Sequence, residues 1–179
     1  MTAAAKRYGG SLFELAAEEG LDDRILQELD CAAACMAAEP QYVRLLSMPN
    51  IPRARRRALL DEAFGGQMHP YTVSFLKILC DAGLLRQLPA CAREYRSRYN
   101  AAHGILEVRA AAAVALDGDA RRLMTDRLAA MTGKQIDLTV TVEPELLGGI
   151  RLDMDGARLD GTLRRRLDSI RESLDALTL

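Results

Sequence analysis

The sequence predicts a predominantly helical α+β protein, with an N-terminal six-helix bundle over residues 1–104 followed by a small C-terminal α+β domain over residues 105–179. Two observations carry this. All eight aromatics, both His and all four Cys lie before residue 105, and a chain of 179 residues that changes composition so abruptly near Gly104 divides naturally into two small domains. The apolar pattern also changes, from helical spacing before Gly104 to strict alternation beyond it.

Taken in order, the first helix puts Tyr8, Leu12, Leu15 and Ala16 on one face and stops at Gly20. Asp22 or Asp23 is expected to cap a second helix with the stripe Ile25, Leu26, Leu29, Ala33 and Met36, ended by Pro40. A short third helix carries Tyr42, Val43, Leu45 and Leu46. Pro52 suits the first turn of a fourth, which runs through Leu59, Leu60 and Ala63 to Gly65-Gly66. Pro70 does the same for a fifth, with Val73, Phe75, Leu76, Leu79 and Cys80 buried before Gly83, and the sixth carries Leu85, Leu88, Ala92, Tyr95 and Tyr99. Short connections between such helices give antiparallel neighbours and hence a bundle.

After Gly104, residues 105–115 read as a strand, although their alanine run equally suits a helix. Asp117 or Asp119 caps a helix with Leu123, Met124, Leu128 and Met131, closed by Gly133. Ile136, Leu138, Val140 and Val142 alternate with polar residues, as do Ile150, Leu152 and Met154, so both segments are strands with one wet face. Asp155-Gly156 suits a tight hairpin turn. A last helix aligns Leu163, Leu167, Ile170, Leu174 and Leu177.

Charge and composition exclude several functions. Residues 1–104 hold 13 basic and 12 acidic side chains, and residues 105–179 hold 11 and 13, so neither half has the basic surplus of phosphate-backbone binding. There is no signal-peptide pattern and no apolar run near the roughly 18 residues of a membrane span, which predicts a soluble chain that stays where it is made. Four irregularly spaced Cys fit a reducing compartment, with the cytosol as default.

Catalytic groups are sparse. His69 precedes Pro70 and His103 lies at the domain junction; without matching Ser or Cys motifs they read as a cap or a solvated side chain. Cys31 and Cys35 would supply two thiolates to a metal, but no second pair follows at zinc-site spacing, and the favoured reading is small hydrophobes in an Ala-rich core. Gly148-Gly149 lacks the residues of a phosphate loop and suits a bulge or close backbone approach before a strand. Asp153 and Asp155 would make a Mg²⁺ site in a small metal-dependent enzyme, against which stands a solvated edge and turn. The clusters Arg53 with Arg55–Arg57, and Arg164–Arg166, are the basis of an alternative, a nucleic-acid-associated helical protein. Consecutive helical residues point about 100° apart, however, so neither run faces a phosphate backbone as a unit. Surface for other proteins is what remains, and helix-in-groove recognition suits this composition best, with core packing competing for every apolar position.

The segment IDLTVTVEPELLGGIRLDM, followed by LDGTLRRRLDSIRESL, resembles the C-terminal signature of the δ subunit of the rotary ATP synthase, the oligomycin-sensitivity-conferring protein (OSCP) family. The matching positions are Glu143, Gly148-Gly149-Ile150, Asp160-Gly161-Thr162, Arg164 and Leu167. Tyr8 to Leu15, Met48-Pro49-Asn50-Ile51, Ser74-Phe75-Leu76 with Leu79, and Tyr95 and Tyr99 fall in the family's order, so the resemblance spans essentially the whole chain. Gly9 and Gly10 depart from the family's helix formers; at roughly 1 kcal/mol per glycine against alanine, they predict fraying at the start of the first helix. Leu84, Asp153 and Asp155 are further departures.

The resemblance implies a non-catalytic adaptor without a cofactor at the top of the peripheral stalk. It implies that the N-terminal bundle holds the α subunit's N-terminal helix in a groove between its first and fifth helices, lined by Tyr8, Leu12, Leu15, Ala16, Phe75, Leu76 and Leu79. It also implies that the C-terminal domain binds the C-terminal helices of the b subunits, with Gly148 and Gly149 shaping the sheet and Asp160 starting the last helix. The implied setting is the cytoplasmic face of the bacterial inner membrane, reached only through the complex, with no nucleic acid.

Overall fold

The computed structural model describes residues 2–146, 149–154 and, as backbone, 157–160. The chain forms two compact units, Met1–Tyr99 and Asn100–Leu179.

The first unit is built from α1 (Ala3–Glu18), α2 (Asp22–Ala38), α3 (Pro40–Leu46), α4 (Arg53–Phe64), α5 (Pro70–Asp81) and α6 (Leu88–Ala102, whose last residues belong to the second unit), with a 3₁₀ turn at Leu85–Gln87. Each helix contributes an apolar stripe to one core, in which Ile25, Leu29, Leu60, Leu76, Leu79, Leu88 and Tyr95 have no exposed surface. Polar contacts orient the helices around it. Tyr95 donates through its hydroxyl to the Asp22 carbonyl at 3.0 Å, and Tyr42 does the same to the Leu59 carbonyl at 2.9 Å, so each ring buries its body and satisfies its polar tip.

Two expectations change here. The N-cap of α2 is Leu21, which makes no side-chain cap; Asp22 and Asp23 sit in the first turn, where carboxylates favour the positive end of the helix dipole. Gly9 and Gly10 do not loosen α1, which starts at Ala3 with Thr2 as a side-chain cap and buries both glycines. A Cβ at Gly9 would stand 2.5 Å from the Cys91 carbonyl oxygen, and one at Gly10 would stand 2.6 Å from the Arg98 guanidinium carbon. The glycines let α1 lie directly against α6, and that contact outweighs their poor helix propensity.

The second unit opens with β1 (Ile105–Ala112), crosses over through α7 (Gly118–Thr132) to β2 (Gln135–Val142), makes a 3₁₀ turn at Pro144–Leu146 and returns through β3 (Ile150–Met154) and β4 (Ala157–Asp160). The sheet order is β2-β1-β3-β4. β1 pairs parallel to β2, with Val108 opposite Leu138, and antiparallel to β3, with Val108 opposite Met154. The alanine run is strand because it occupies a central position: Ala110, Ala111 and Ala112 are all buried, and small side chains suit a strand covered on both faces. α7 has the expected caps, with Asp117 accepting from the Ala120 N–H at 2.7 Å and Gly133 left-handed at φ 66°. It lays Leu128 and Met124 on Val108, Ile136, Leu106 and Leu138. β3 and β4 pair antiparallel with Met154 opposite Ala157; the Asp155-Gly156 turn and the expected last helix, Leu163 to Leu177, lie outside the described residues.

Candidate functional site

α1 and α5 were expected to line a helix-binding groove. Of the seven residues named for it, Leu12, Ala16, Phe75, Leu76 and Leu79 are buried in the bundle core. Tyr8 is half-buried, and Leu15 is 40% exposed. These five residues belong to the core, because the strongest apolar stripe on each helix is the one the bundle itself consumes.

Each helix also carries a second, outer stripe. On α1, Tyr8, Ser11 and Leu15 follow i, i+3, i+7; on α5, Tyr71, Ser74 and Ile78 follow the same spacing. Both serines are exposed and Ile78 is 50% exposed. Sequence reasoning placed Ser74 only among the positions in the family's order and did not single out Tyr71 or Ile78. The signal available was an apolar residue, Ile78, one position out of phase with the core stripe of α5. A cleft of about 510 Å³ between the end of α2, α3 and the start of α6, lined by Ala33, Met36, Val43 and Leu88 with Arg44 and Arg86, is a further apolar surface without a sequence signal.

The start of α5 is held by an electrostatic clasp. His69 is the helix cap, its Nδ1 accepting from the Tyr71 N–H at 3.3 Å, which agrees with the cap reading of this residue. Glu28 of α2 accepts from the His69 N–H at 2.8 Å, from the Thr72 hydroxyl at 2.6 Å and from Arg24 Nε at 2.9 Å. Burial pushes the Glu28 carboxyl up, but the hydrogen bonds from Thr72, His69 and Arg24 outweigh it and leave it below the ordinary range.

The arginines of α4 are engaged within the fold. Arg57 and Arg53 pair with Asp81, Arg55 with Glu62 at 3.2 Å, and Arg56 donates to the Leu46 carbonyl at 3.3 Å. The hydrogen bond from Arg57 is the main reason the Asp81 carboxyl sits low. Such an internally neutralised face offers little to a phosphate backbone. The second cluster, Arg164–Arg166, lies outside the described residues.

Cys31 and Cys35 are exposed on α2 and do not belong to the core, whereas Cys80 and Cys91 are buried. The i, i+4 spacing marked a helix face but not which face. Asp153 lies in register with Arg109 of β1, whose guanidinium it influences electrostatically, and a cationic neighbour disfavours a Mg²⁺ site; Asp155 lies outside the described residues. Among the described residues no three His, Cys, Asp or Glu converge as metal ligands, and no helix is long and apolar enough to cross a membrane.

In the second unit, Gly149 takes φ 86° just before β3, a conformation that favours glycine. Glu143 accepts from Arg151 Nη2 with both carboxylate oxygens at 2.8 Å, tying the two ends of this turn together. Gly148 lies outside the described residues. Asp160 is the last residue of β4, opposite Arg151, so it ends a strand; the helix it was expected to start is not among the described residues.

The fold is that of a helix-rich, two-unit protein in which, among the described residues, side-chain hydrogen bonds and ion pairs cap and clasp the helices. The family model for the ATP synthase delta (OSCP) subunit matches residues 4–174. ATP synthase subunit delta of Desulfitobacterium hafniense (strain Y51) is 32% identical over 172 residues, covering 96% of each chain. The subunit delta of Symbiobacterium thermophilum is 30% identical, covering 96% of this chain and 92% of its own. A chain of the Toxoplasma gondii mitochondrial ATP synthase hexamer shares the fold, with a TM-score of 0.72 at 17% identity over 97% of this chain and 98% of that one. The chain belongs to the ATP synthase delta (OSCP) subunit family.

Proposed function

We propose that this chain is a non-catalytic stator adaptor of the rotary ATP synthase, linking the catalytic head to the peripheral stalk so that the head resists rotor torque during proton-driven ATP synthesis. In this reading residues 1–104 receive the amphipathic N-terminal helix of an α subunit, and residues 105–179 bind the C-terminal helices of the b subunits. The protein acts at the cytoplasmic face of the bacterial inner membrane and touches the membrane only through the complex. The observation that carries it is the family match along residues 4–174. The outer stripes Tyr8–Ser11–Leu15 and Tyr71–Ser74–Ile78 supply the physical means, since exposed apolar residues interleaved with small polar ones admit a partner helix at close range.

The test is titration of the full chain with the cognate α N-terminal peptide. Saturable binding that weakens at least tenfold in Leu15→Asp and in Ile78→Asp, about 1.4 kcal/mol or more, is expected, with thermal stability nearly unchanged because both side chains are exposed. Absence of saturable binding would sink the groove assignment.

A further inference from the structure

The proposed function leaves Cys31 and Cys35 without a role. Both are exposed on α2, and their i, i+4 spacing places them on one helix face with Cβ atoms about 5–6 Å apart. The neighbouring Cys35 thiol is the largest influence holding the Cys31 thiol above its ordinary range. No Lys, Arg or His lies within four positions of either along the helix. The helix itself therefore supplies no cationic neighbour of the kind that makes a cysteine a nucleophile at neutral pH, and the nearby Arg96 of α6 is paired with Asp30.

Distances decide between a disulfide and a metal. A disulfide needs Cβ atoms about 3.5–4.5 Å apart, closer than the helix holds them, so oxidation would distort α2. A cation bridging two sulfurs at about 2.3 Å each spans up to roughly 4.6 Å between them, which two i, i+4 side chains meet with the helix intact. Only two donors are present, since no third metal-ligating side chain joins them among the described residues. Two soft thiolates without oxygen or imidazole partners select a soft cation over Mg²⁺ or four-coordinate Zn²⁺.

We propose that Cys31 and Cys35 form a two-thiolate surface site for a soft, two-coordinate cation of the Cu(I) class. On binding, each sulfur releases its proton to solvent and forms one bond to the ion. Copper stays Cu(I), no electron is transferred, and the site passes from neutral to a single negative charge.

The experiment titrates the full, reduced chain with Cu(I) under anaerobic conditions against a chromophoric Cu(I) chelator. About one equivalent is expected to transfer to the wild-type chain, and Cys31→Ser or Cys35→Ser is expected to weaken binding about a hundredfold or more by removing the second linked donor. Both cysteines are exposed, so circular dichroism of the variants should match wild type. The double variant Cys31→Ser/Cys35→Ser keeps the buried Cys80 and Cys91. Equal retention of Cu(I) by this variant and wild type would overturn the assignment, as would a wild-type chain that takes up no Cu(I) yet closes a Cys31–Cys35 disulfide in air.

Discussion

Glu28 gathers three hydrogen bonds on one carboxylate and so ties the middle of α2 to the cap of α5. Hydrogen bonds to a charged group contribute about 1.5–3 kcal/mol, and Glu28→Gln should destabilise the first unit by that order at neutral pH, read as a drop in Tm. The sign of the pH dependence follows from the folded carboxyl being lowered. Its stabilising contribution is present above the unfolded value of 4.5 and is lost as pH falls through the lower folded one, so the gap between wild type and Glu28→Gln should begin to shrink below that unfolded value. A gap that persists unchanged at pH 3 would assign the effect to packing. Gly9 and Gly10 make a second comparison between neighbours. A methyl at Gly9 meets the Cys91 backbone, which cannot yield without moving α6, so Gly9→Ala should cost about 1–3 kcal/mol despite alanine's better helix propensity. At Gly10 the obstacle is the end of the flexible Arg98 side chain. Gly10→Ala should therefore be near neutral, the propensity gain of about 1 kcal/mol offsetting weakened pairing of Arg98 with Glu14 and Glu94. Urea denaturation of the two variants distinguishes these outcomes.

At the scale of elements, periodicity located the helices well because each buries a stripe that must recur every 3.6 residues. It could not say what lies beyond the stripe. On α1 and α5 it found Leu12, Ala16, Phe75, Leu76 and Leu79, which the bundle buries, and passed over Ile78, whose exposure depends on which neighbours pack where. Cys31 and Cys35 failed for the same reason, and Gly9 and Gly10 because a close helix–helix approach is a tertiary fact with a purely local penalty. The β1 alanines were ambiguous until β2 and β3 flanked them, since pairing on both edges decides strand over helix where propensity does not. The second unit shows how much a single element leans on its ends. α7 leaves Leu123 and Met131 exposed and buries only Leu128 fully, so its caps matter more than those of a deeply packed helix. Asp117→Ala should lower the stability of this unit by about 1 kcal/mol, measurable by native-state hydrogen exchange of the α7 amides, with little effect on α1–α6.

For the whole molecule, the adaptor reading turns on linkage. Two modest interfaces on one chain act as joined sites, and their combined hold can exceed either alone by about 10²–10⁴ without any new contact. Composition divides the chain at the same place: the aromatics that anchor the first unit's core stop before Gly104, and the second unit contains none. Gly104 is exposed, with φ 65°, in the turn between α6 and β1, where the compositional change falls. If linkage is what matters, residues 1–104 and 105–179 supplied as separate pieces should each retain affinity for its own partner, the first for the α peptide and the second for the b helices. The equimolar mixture should nevertheless fail to couple head to stalk, measured as loss of co-sedimentation of the head with b-containing vesicles and of ATP-driven proton pumping. The intact chain should restore both. Coupling by the cut mixture at intact-chain levels would mean that the two units are held together by their partners alone, and the covalent connection through Gly104 would then have no mechanical role.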